Sequence, residues 1–125
     1  ICNNMLLGIS MIGTCEAFLL GKKLGLDAQT FFDISSTASG QNWSMTSYCP
    51  MPGPVPASPA NNDYQAGFTA AMMLKDLVLS QEAAQTATCE TPMGARATAL
   101  YQQMAEAGAE DLDFSGIMRM LQGAL

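Results

Sequence analysis

The sequence predicts an all-α domain, and three observations support that fold class. Apolar residues recur at helical spacing in several segments, helix start and stop residues separate these segments, and no segment shows a convincing two-residue alternation. A chain of 125 residues is expected to form one domain. Because 49% of the residues are apolar and only 13% are charged, we expect a substantial helical core and no disordered chain.

The first predicted helix covers residues 1–24, which contain no proline. Gly25 follows at the position of a terminating glycine, and Lys22 and Lys23 lie in the last turn, near the negative end of the helix dipole. Apolar side chains occur on nearly every side. Small residues form a stripe at Ser10, Thr14, Ala17 and Gly21. This pattern predicts a central helix that is enclosed by other helices, some of them from a second subunit.

A membrane span is the alternative for the same helix. Its apolar part, residues 5–20, is shorter than the roughly twenty residues that a span needs, and it contains Glu16. A secretory signal peptide fits poorly, because the segment has no basic start and no small-residue cleavage site. We therefore expect no membrane partner.

Further helices are expected downstream, and residues that favour helix ends place them. Asp27 is the expected N-cap of the second helix, and Thr91 followed by Pro92 is typical of a helix start. The expected ranges are about 27–36, 42–48, 68–86, 93–107 and 114–122.

Five prolines between residues 50 and 59 exclude a regular helix there and predict a stiff, polyproline-like loop. Such a loop is either a linker between domains or an ordered part of one domain. We favour the ordered loop, because it contains few charges and is flanked by the aromatic residues Trp43, Tyr48, Tyr64 and Phe68.

Composition also excludes several function classes. Eleven acidic and five basic residues give a net charge of −6, so no nucleic-acid partner is expected. The absence of histidine removes the commonest general base and the commonest metal ligand. No metal site is expected at the four cysteines, because no pair has CxxC spacing; we interpret Cys2, Cys15, Cys49 and Cys89 as reduced thiols that act as small apolar residues.

Lys75 is the most informative single residue, because it is the only lysine in the last hundred residues. A lysine on an apolar helix stripe is either a residue at the edge of the core or a functional cation in a cleft. Asp76 points about 100° away and is not an automatic ion-pair partner. The stripe that Lys75 shares consists of Phe68, Ala71, Met72 and Leu79.

Asn3 and Asn4, in the first turn of the long helix, either cap the helix or hold a substrate carboxylate or hydroxyl. No nucleophile–base pair can be assembled without histidine, and no glycine-rich phosphate loop is present. The 125 residues of this chain alone therefore do not contain a complete active site.

Four segments resemble the C-terminal domain of the β-hydroxyacid dehydrogenases, and their order and separation match over essentially the whole chain. The segments are ICNNMLLGISMIGTCEAFLLGKKLGLD, SSTASGQNWSMTSYCPMPGPVP, ASPANNDYQAGF and MMLKDLVLSQEAA. Within this family, which belongs to the 6-phosphogluconate dehydrogenase superfamily, the segments are most similar to the 3-hydroxyisobutyrate branch.

The resemblance implies a two-domain enzyme in which an N-terminal Rossmann domain, absent from this chain, binds NAD rather than NADP. A long interdomain helix then leads into the all-α domain, which closes the active site and makes dimer or tetramer contacts. The implied reaction oxidises 3-hydroxyisobutyrate to methylmalonate semialdehyde in valine catabolism. We expect residues 1–125 alone to be inactive, and we expect the enzyme to lie in the cytoplasm of a bacterium or the mitochondrial matrix of a eukaryote.

The resemblance also assigns site residues. Asn4 matches the last residue of the family pattern G-x-x-x-K-x-x-x-N, so the catalytic lysine is expected just before Ile1, and Asn4 would help to fix it and the substrate. Lys75 matches a lysine that contacts the cofactor. The remaining positions that line the implied cleft are Phe68 on the cofactor side, and Asp76 and Trp43 on the substrate side.

Two alternatives stay open. A related enzyme of the same family could reduce tartronate semialdehyde or succinate semialdehyde. A stand-alone, non-catalytic helical interaction module is also compatible with the sparse charge and with the apolar first helix.

Overall fold

Helices make up the regular structure, and the computed structural model describes all 125 residues. The predicted all-α fold class is confirmed, since no strand is present. The six α-helices are α1 (Cys2–Lys23), α2 (Ala28–Ser35), α3 (Trp43–Thr46), α4 (Ala70–Thr86), α5 (Pro92–Glu106) and α6 (Ile117–Leu121). Two short 3-10 turns cover Pro59–Asn62 and Phe114–Gly116. The single helix predicted for 114–122 is thus wrong in detail, because its first turn is a 3-10 turn.

The predicted helix ends are mostly confirmed. Gly25 has a φ of +87°, the left-handed conformation that glycine adopts after a helix. The side chains of Asp27 and Thr69 each accept a hydrogen bond from an amide in the first turn of α2 and α4. Thr91 precedes α5 as predicted, but its side chain does not cap the helix. Its hydroxyl instead donates to Gln81 Oε1 at 3.3 Å, which ties α5 to α4.

α1 is the central helix, because it contacts each of the other five helices. Its inner face carries Met11, Cys15 and Phe18, all of them buried. α4 lies unusually close at Gly8, where an added Cβ would be 3.1 Å from Met73 Sδ and 3.2 Å from a methyl of Leu77. Glycine at position 8 therefore sets the separation of α1 and α4.

Within this chain α1 is enclosed only in part, so its expected cover by a second subunit stays a prediction. The other helices cover only part of it, and Leu6 and Leu20 remain 61% and 62% exposed. Along the small-residue stripe, an open groove of about 350 Å³ separates Ser10 and Ala17 from α2. By length and composition α1 could cross a membrane, and 39% of its apolar window is buried against the rest of the chain.

The proline-rich segment is an ordered loop, as predicted. The Tyr64 hydroxyl donates to the carbonyl of Pro50 at 2.6 Å. The Asn61 side chain spans the loop: it accepts from the amide of Gly53 and donates to the carbonyl of Val55, both at 2.8 Å. These bonds replace the regular pattern that proline cannot form.

The interpretation of the cysteines needs one correction. Cys15 and Cys49 are buried, as expected for small apolar side chains, and burial raises the pKa of both thiols. Cys2 and Cys89 are exposed, since both lie near chain ends or helix connections at the surface.

Buried tyrosines make the stability of this fold decrease at high pH. Burial raises the pKa of Tyr64 from 10.0 to about 12, and burial also raises the pKa of Tyr101 well above its ordinary value. The unfolded chain loses these protons from about pH 10 upward, whereas the folded chain keeps them. The buried thiols of Cys15 and Cys49 begin to lower the free energy of unfolding above about pH 9.0. The contribution of the tyrosines is fully retained below pH 10.0 and falls as the pH rises towards about 12.

Urea unfolding at a series of pH values between about 8 and 11 tests this expectation. The Tyr64→Phe variant is the matched comparison and should lose less stability over that range. A free energy of unfolding that stays constant up to about pH 11 would contradict the assignment.

Candidate functional site

An open cleft of about 500 Å³ lies where the start of α1, the start of α3 and the segment before α4 meet. Three of the residues predicted for the site line it together: Asn4, Trp43 and Phe68. They are far apart in sequence, so the packing of α1 against α3 and α4 creates the cleft. The other lining residues are Leu7, Tyr48, Gly67 and Phe114.

The polar corner of the cleft is a hydrogen bond between α1 and α4. Asn4 Nδ2 donates to Asp76 Oδ2 at 2.6 Å, a short bond to a charged acceptor. Asn4 Oδ1 accepts from Asn3 Nδ2 at 3.1 Å. An amide oxygen has two acceptor sites, so Asn4 Oδ1 keeps one for a further donor. Asp76 does not line the cleft itself, but its hydrogen bond orients the Asn4 amide. Asp76 makes no ion pair with Lys75.

The remaining walls of the cleft are aromatic. Trp43 stacks on Tyr48 with a centroid distance of 5.1 Å and an interplanar angle of 19°. Tyr48 packs against Phe114 at 5.4 Å, and Phe68 meets Phe114 edge to face at 5.6 Å. The result is one continuous aromatic surface that faces the Asn4 amide.

A buried carboxylate supports this surface from below. Asp113 is 0% exposed. Its Oδ1 accepts from the Tyr48 hydroxyl at 2.7 Å and from the amides of Gly67 and Phe68 at 3.0 and 3.1 Å. Its Oδ2 accepts from the amide and the hydroxyl of Ser115 at 3.0 and 2.5 Å. Five donors thus satisfy a charge that has no cation beside it.

Sequence reasoning missed Asp113 and the roles of Tyr48 and Phe114 in the cleft. An Asp two residues before a Ser is a helix-start signal, and Asp113 does accept from the amide of Ser115 at the 3-10 turn. That signal says nothing about burial or about the distant donors. The pKa of Tyr48 is raised well above its ordinary value, first by burial and then by its hydrogen bond to Asp113, so the hydroxyl keeps its proton and donates it.

The structure does not bring Lys75 into the cleft. Its side chain is exposed on α4 and makes no ion pair within the chain. The apolar stripe that it shares faces solvent, since Met72 and Leu79 are 53% and 39% exposed. The Lys75 ammonium is therefore free to donate to an anionic group that approaches α4 from outside the chain.

A second cleft of about 490 Å³ lies on the other side of Trp43. It is lined by Asn3, Ser10, Asn42 and Ser44 together with Leu6 and Leu7. Trp43, which is 52% exposed, and Leu7 line both clefts.

Comparison with known proteins identifies similar sequences and structures. The model of the family described as "NAD-binding of NADP-dependent 3-hydroxyisobutyrate dehydrogenase" matches residues 1–121. A 3-hydroxyisobutyrate dehydrogenase of Pseudomonas aeruginosa is 46% identical over 125 residues, which is 98% of this chain and 42% of that protein. An NAD-dependent L-serine dehydrogenase of the same organism is 44% identical over 120 residues, 96% of this chain and 40% of that protein.

The structure is similar to that of the Mycobacterium tuberculosis 3-hydroxyisobutyrate dehydrogenase with L-serine. The TM-score is 0.93 at 45% identity, and the match covers 97% of this chain and 41% of that one. The chain thus spans about two fifths of the length of the relatives it matches.

Replacing Asp113 by asparagine should destabilise the fold. Asparagine has only one acceptor oxygen, so its amide nitrogen would face the buried donors on one side of this position, and these would lose their acceptor together with the negative charge. We expect a loss of about 2–4 kcal/mol in the free energy of unfolding, measured by urea denaturation. Asp111→Asn is the matched control, because Asp111 is exposed, and it should change stability by less than about 0.5 kcal/mol. Equal effects of the two variants would refute the role of Asp113.

Proposed function

The chain belongs to the 3-hydroxyisobutyrate dehydrogenase family, and from that premise we propose that residues 1–125 form the helical C-terminal domain of an NAD-dependent hydroxy-acid dehydrogenase. In this proposal an N-terminal nucleotide-binding domain precedes Ile1. The helical domain supplies the wall that closes the active site. The observation that carries the proposal is the cleft in which the oriented Asn4 amide faces an aromatic surface.

We propose oxidation of 3-hydroxyisobutyrate to methylmalonate semialdehyde as the reaction. Bound NAD would supply the hydride acceptor for the alcohol carbon. The general base would be the lysine expected before Ile1, four residues ahead of Asn4, which places it about one helical turn from the Asn4 side chain if α1 extends to it.

Asn4 has a defined part in this chemistry. Asp76 accepts a hydrogen bond from the Asn4 amide nitrogen and so fixes the Asn4 side chain. The Asn4 amide oxygen then presents an acceptor site to the cleft. That site can hold the substrate hydroxyl or the ammonium of the lysine while the proton moves between them. Asp76 acts through Asn4 as a positioning residue.

Lys75 would meet the cofactor. Its exposed cation and the exposed Met72 and Leu79 give α4 a surface that suits a nucleotide and the domain that carries it. The exposed face of α1, with Leu6 and Leu20, is the surface that we propose for a second subunit.

The aromatic surface favours a substrate with a small apolar substituent. The side chains of Trp43, Tyr48 and Phe68 carry no charge, and a methyl group packs on them without losing hydration energy. L-serine is the second candidate, because one relative is named an L-serine dehydrogenase and a similar structure holds L-serine. Its ammonium would need an acceptor, and the acceptor site that Asn4 Oδ1 keeps is the one that the cleft offers. Tartronate semialdehyde and succinate semialdehyde remain further substrates to test.

A chimera tests the domain assignment. The N-terminal part of the Pseudomonas aeruginosa relative, up to the residue before the match, is joined to Ile1 of this chain. We expect the chimera to oxidise 3-hydroxyisobutyrate with NAD and this chain alone to show no turnover, because the chain lacks the base and the nucleotide-binding domain. L-serine with NAD and the two semialdehydes with NADH complete the panel, and each assay is repeated with the corresponding form of NADP.

Turnover by residues 1–125 alone would contradict the domain assignment. A folded chimera that acts on none of these substrates would contradict the proposed activity and favour a non-catalytic interaction module.

Lys75→Ala in the chimera tests the cofactor contact. Loss of one charge-assisted hydrogen bond should raise the KM for NAD about tenfold, with a smaller change in the KM for the hydroxy acid. Lys22→Ala is the matched control, since Lys22 is an exposed lysine at the far end of α1. If both variants have the same KM for NAD, Lys75 does not contact the cofactor.

A further inference from the structure

The Trp43 side chain, which forms one wall of the cleft, has few packing contacts to fix its orientation. The residue is 52% exposed and lines both clefts. It begins α3, a helix of only four residues. Its one aromatic contact is the stack on Tyr48, at 5.1 Å and 19°. The orientation of the indole therefore depends on where Tyr48 is held.

Tyr48 is held by its hydroxyl as well as by its ring. The hydroxyl donates to Asp113 Oδ1 at 2.7 Å. Gly67 leaves space for this bond, because a Cβ at that position would lie 3.0 Å from the Tyr48 hydroxyl oxygen. Burial and the carboxylate both raise the pKa of Tyr48, so the donor stays protonated.

The same carboxylate oxygen fixes the opposite wall. Asp113 Oδ1 also accepts from the amides of Gly67 and Phe68, at 3.0 and 3.1 Å. The amide of Phe114 in turn donates to the carbonyl of Phe68 at 2.7 Å. One buried oxygen atom thus determines the backbone position of Phe68 and, through Tyr48, the stacking partner of Trp43.

We infer that Asp113 is a positioning residue for the substrate cleft and that Tyr48 transmits its effect to Trp43. The distance between the Trp43 and Phe68 walls then decides which substituent of a short hydroxy acid fits beside the Asn4 amide. This consequence for the substrate rests on the proposed function, whereas the positioning of Trp43 does not.

Fluorescence tests the positioning directly, because Trp43 is the only tryptophan in the chain. Tyr48→Phe keeps the ring and removes the bond to Asp113. We expect the Trp43 emission of this variant to shift to longer wavelength and to be quenched more strongly by acrylamide. Tyr64→Phe is the matched control: it also loses a hydroxyl that donates to a buried acceptor, the Pro50 carbonyl at 2.6 Å, but it has no contact with Trp43.

Both variants are compared with the unchanged chain by circular dichroism and urea unfolding, and the spectra are recorded where each is fully folded. If Tyr48→Phe and Tyr64→Phe give the same emission and quenching as the unchanged chain, or shift equally, the inference is overturned. Only a change specific to Tyr48→Phe supports it.

Kinetics of the same variants in the chimera test the consequence for the substrate. In Tyr48→Phe, loss of the hydrogen bond to Asp113 should raise the KM for the hydroxy acid about three- to tenfold and change kcat less than about twofold. Tyr64→Phe should change neither. An unchanged KM in Tyr48→Phe overturns the substrate part of the inference. An inactive parent chimera contradicts the proposed function, and the fluorescence of the chain still decides the positioning of Trp43.

Discussion

A buried carboxylate without a cation is expensive unless hydrogen bonds replace the water that it has lost. Asp113 meets this requirement with donors from three separate parts of the chain: Tyr48 after α3, the residues just before α4, and Ser115 in the 3-10 turn that precedes α6. Its own amide donates to the carbonyl of Tyr64, which anchors the end of the proline-rich loop. Segments that lack helical bonds of their own are thereby joined at one point in the core.

This single point also explains why the cleft has well-defined walls in a fold with short helices and long connections. α2, α3 and α6 are eight, four and five residues long, too short to be stable by themselves. Their positions come from tertiary contacts, namely the packing on α1 and the hydrogen bonds to Asp113. The fold and the candidate site therefore share the same support.

The sequence was sufficient for the features that depend on neighbouring residues. The fold class, the cap at Asp27, the glycine stop at Gly25 and the ordered proline-rich loop follow from local sterics and local hydrogen bonds. The residues grouped at the cleft followed from the family resemblance, and Asn4, Trp43 and Phe68 do lie together. Asp113 was not predictable in this way, because its donors Tyr48 and Phe68 are 65 and 45 residues away and an acidic residue in sequence gives no sign of its burial. The cover of α1 has a related limit: the pattern records how many faces are apolar, not which molecule covers them, and a second subunit on its exposed face stays a prediction.

Gly8 adds a constraint that operates at a distance from every cleft residue. It lies one helical turn beyond Asn4, and it faces Leu77, the neighbour of Asp76 on α4. A methyl group there would meet atoms at 3.1–3.2 Å, so the side chains of α4 would have to give way by a few tenths of an ångström. The Asn4–Asp76 hydrogen bond joins the same two helices and is short at 2.6 Å, so its length would change with the spacing between α1 and α4. A substitution at position 8 would thus change how far the Asn4 amide reaches into the cleft, although Gly8 itself lines no part of it.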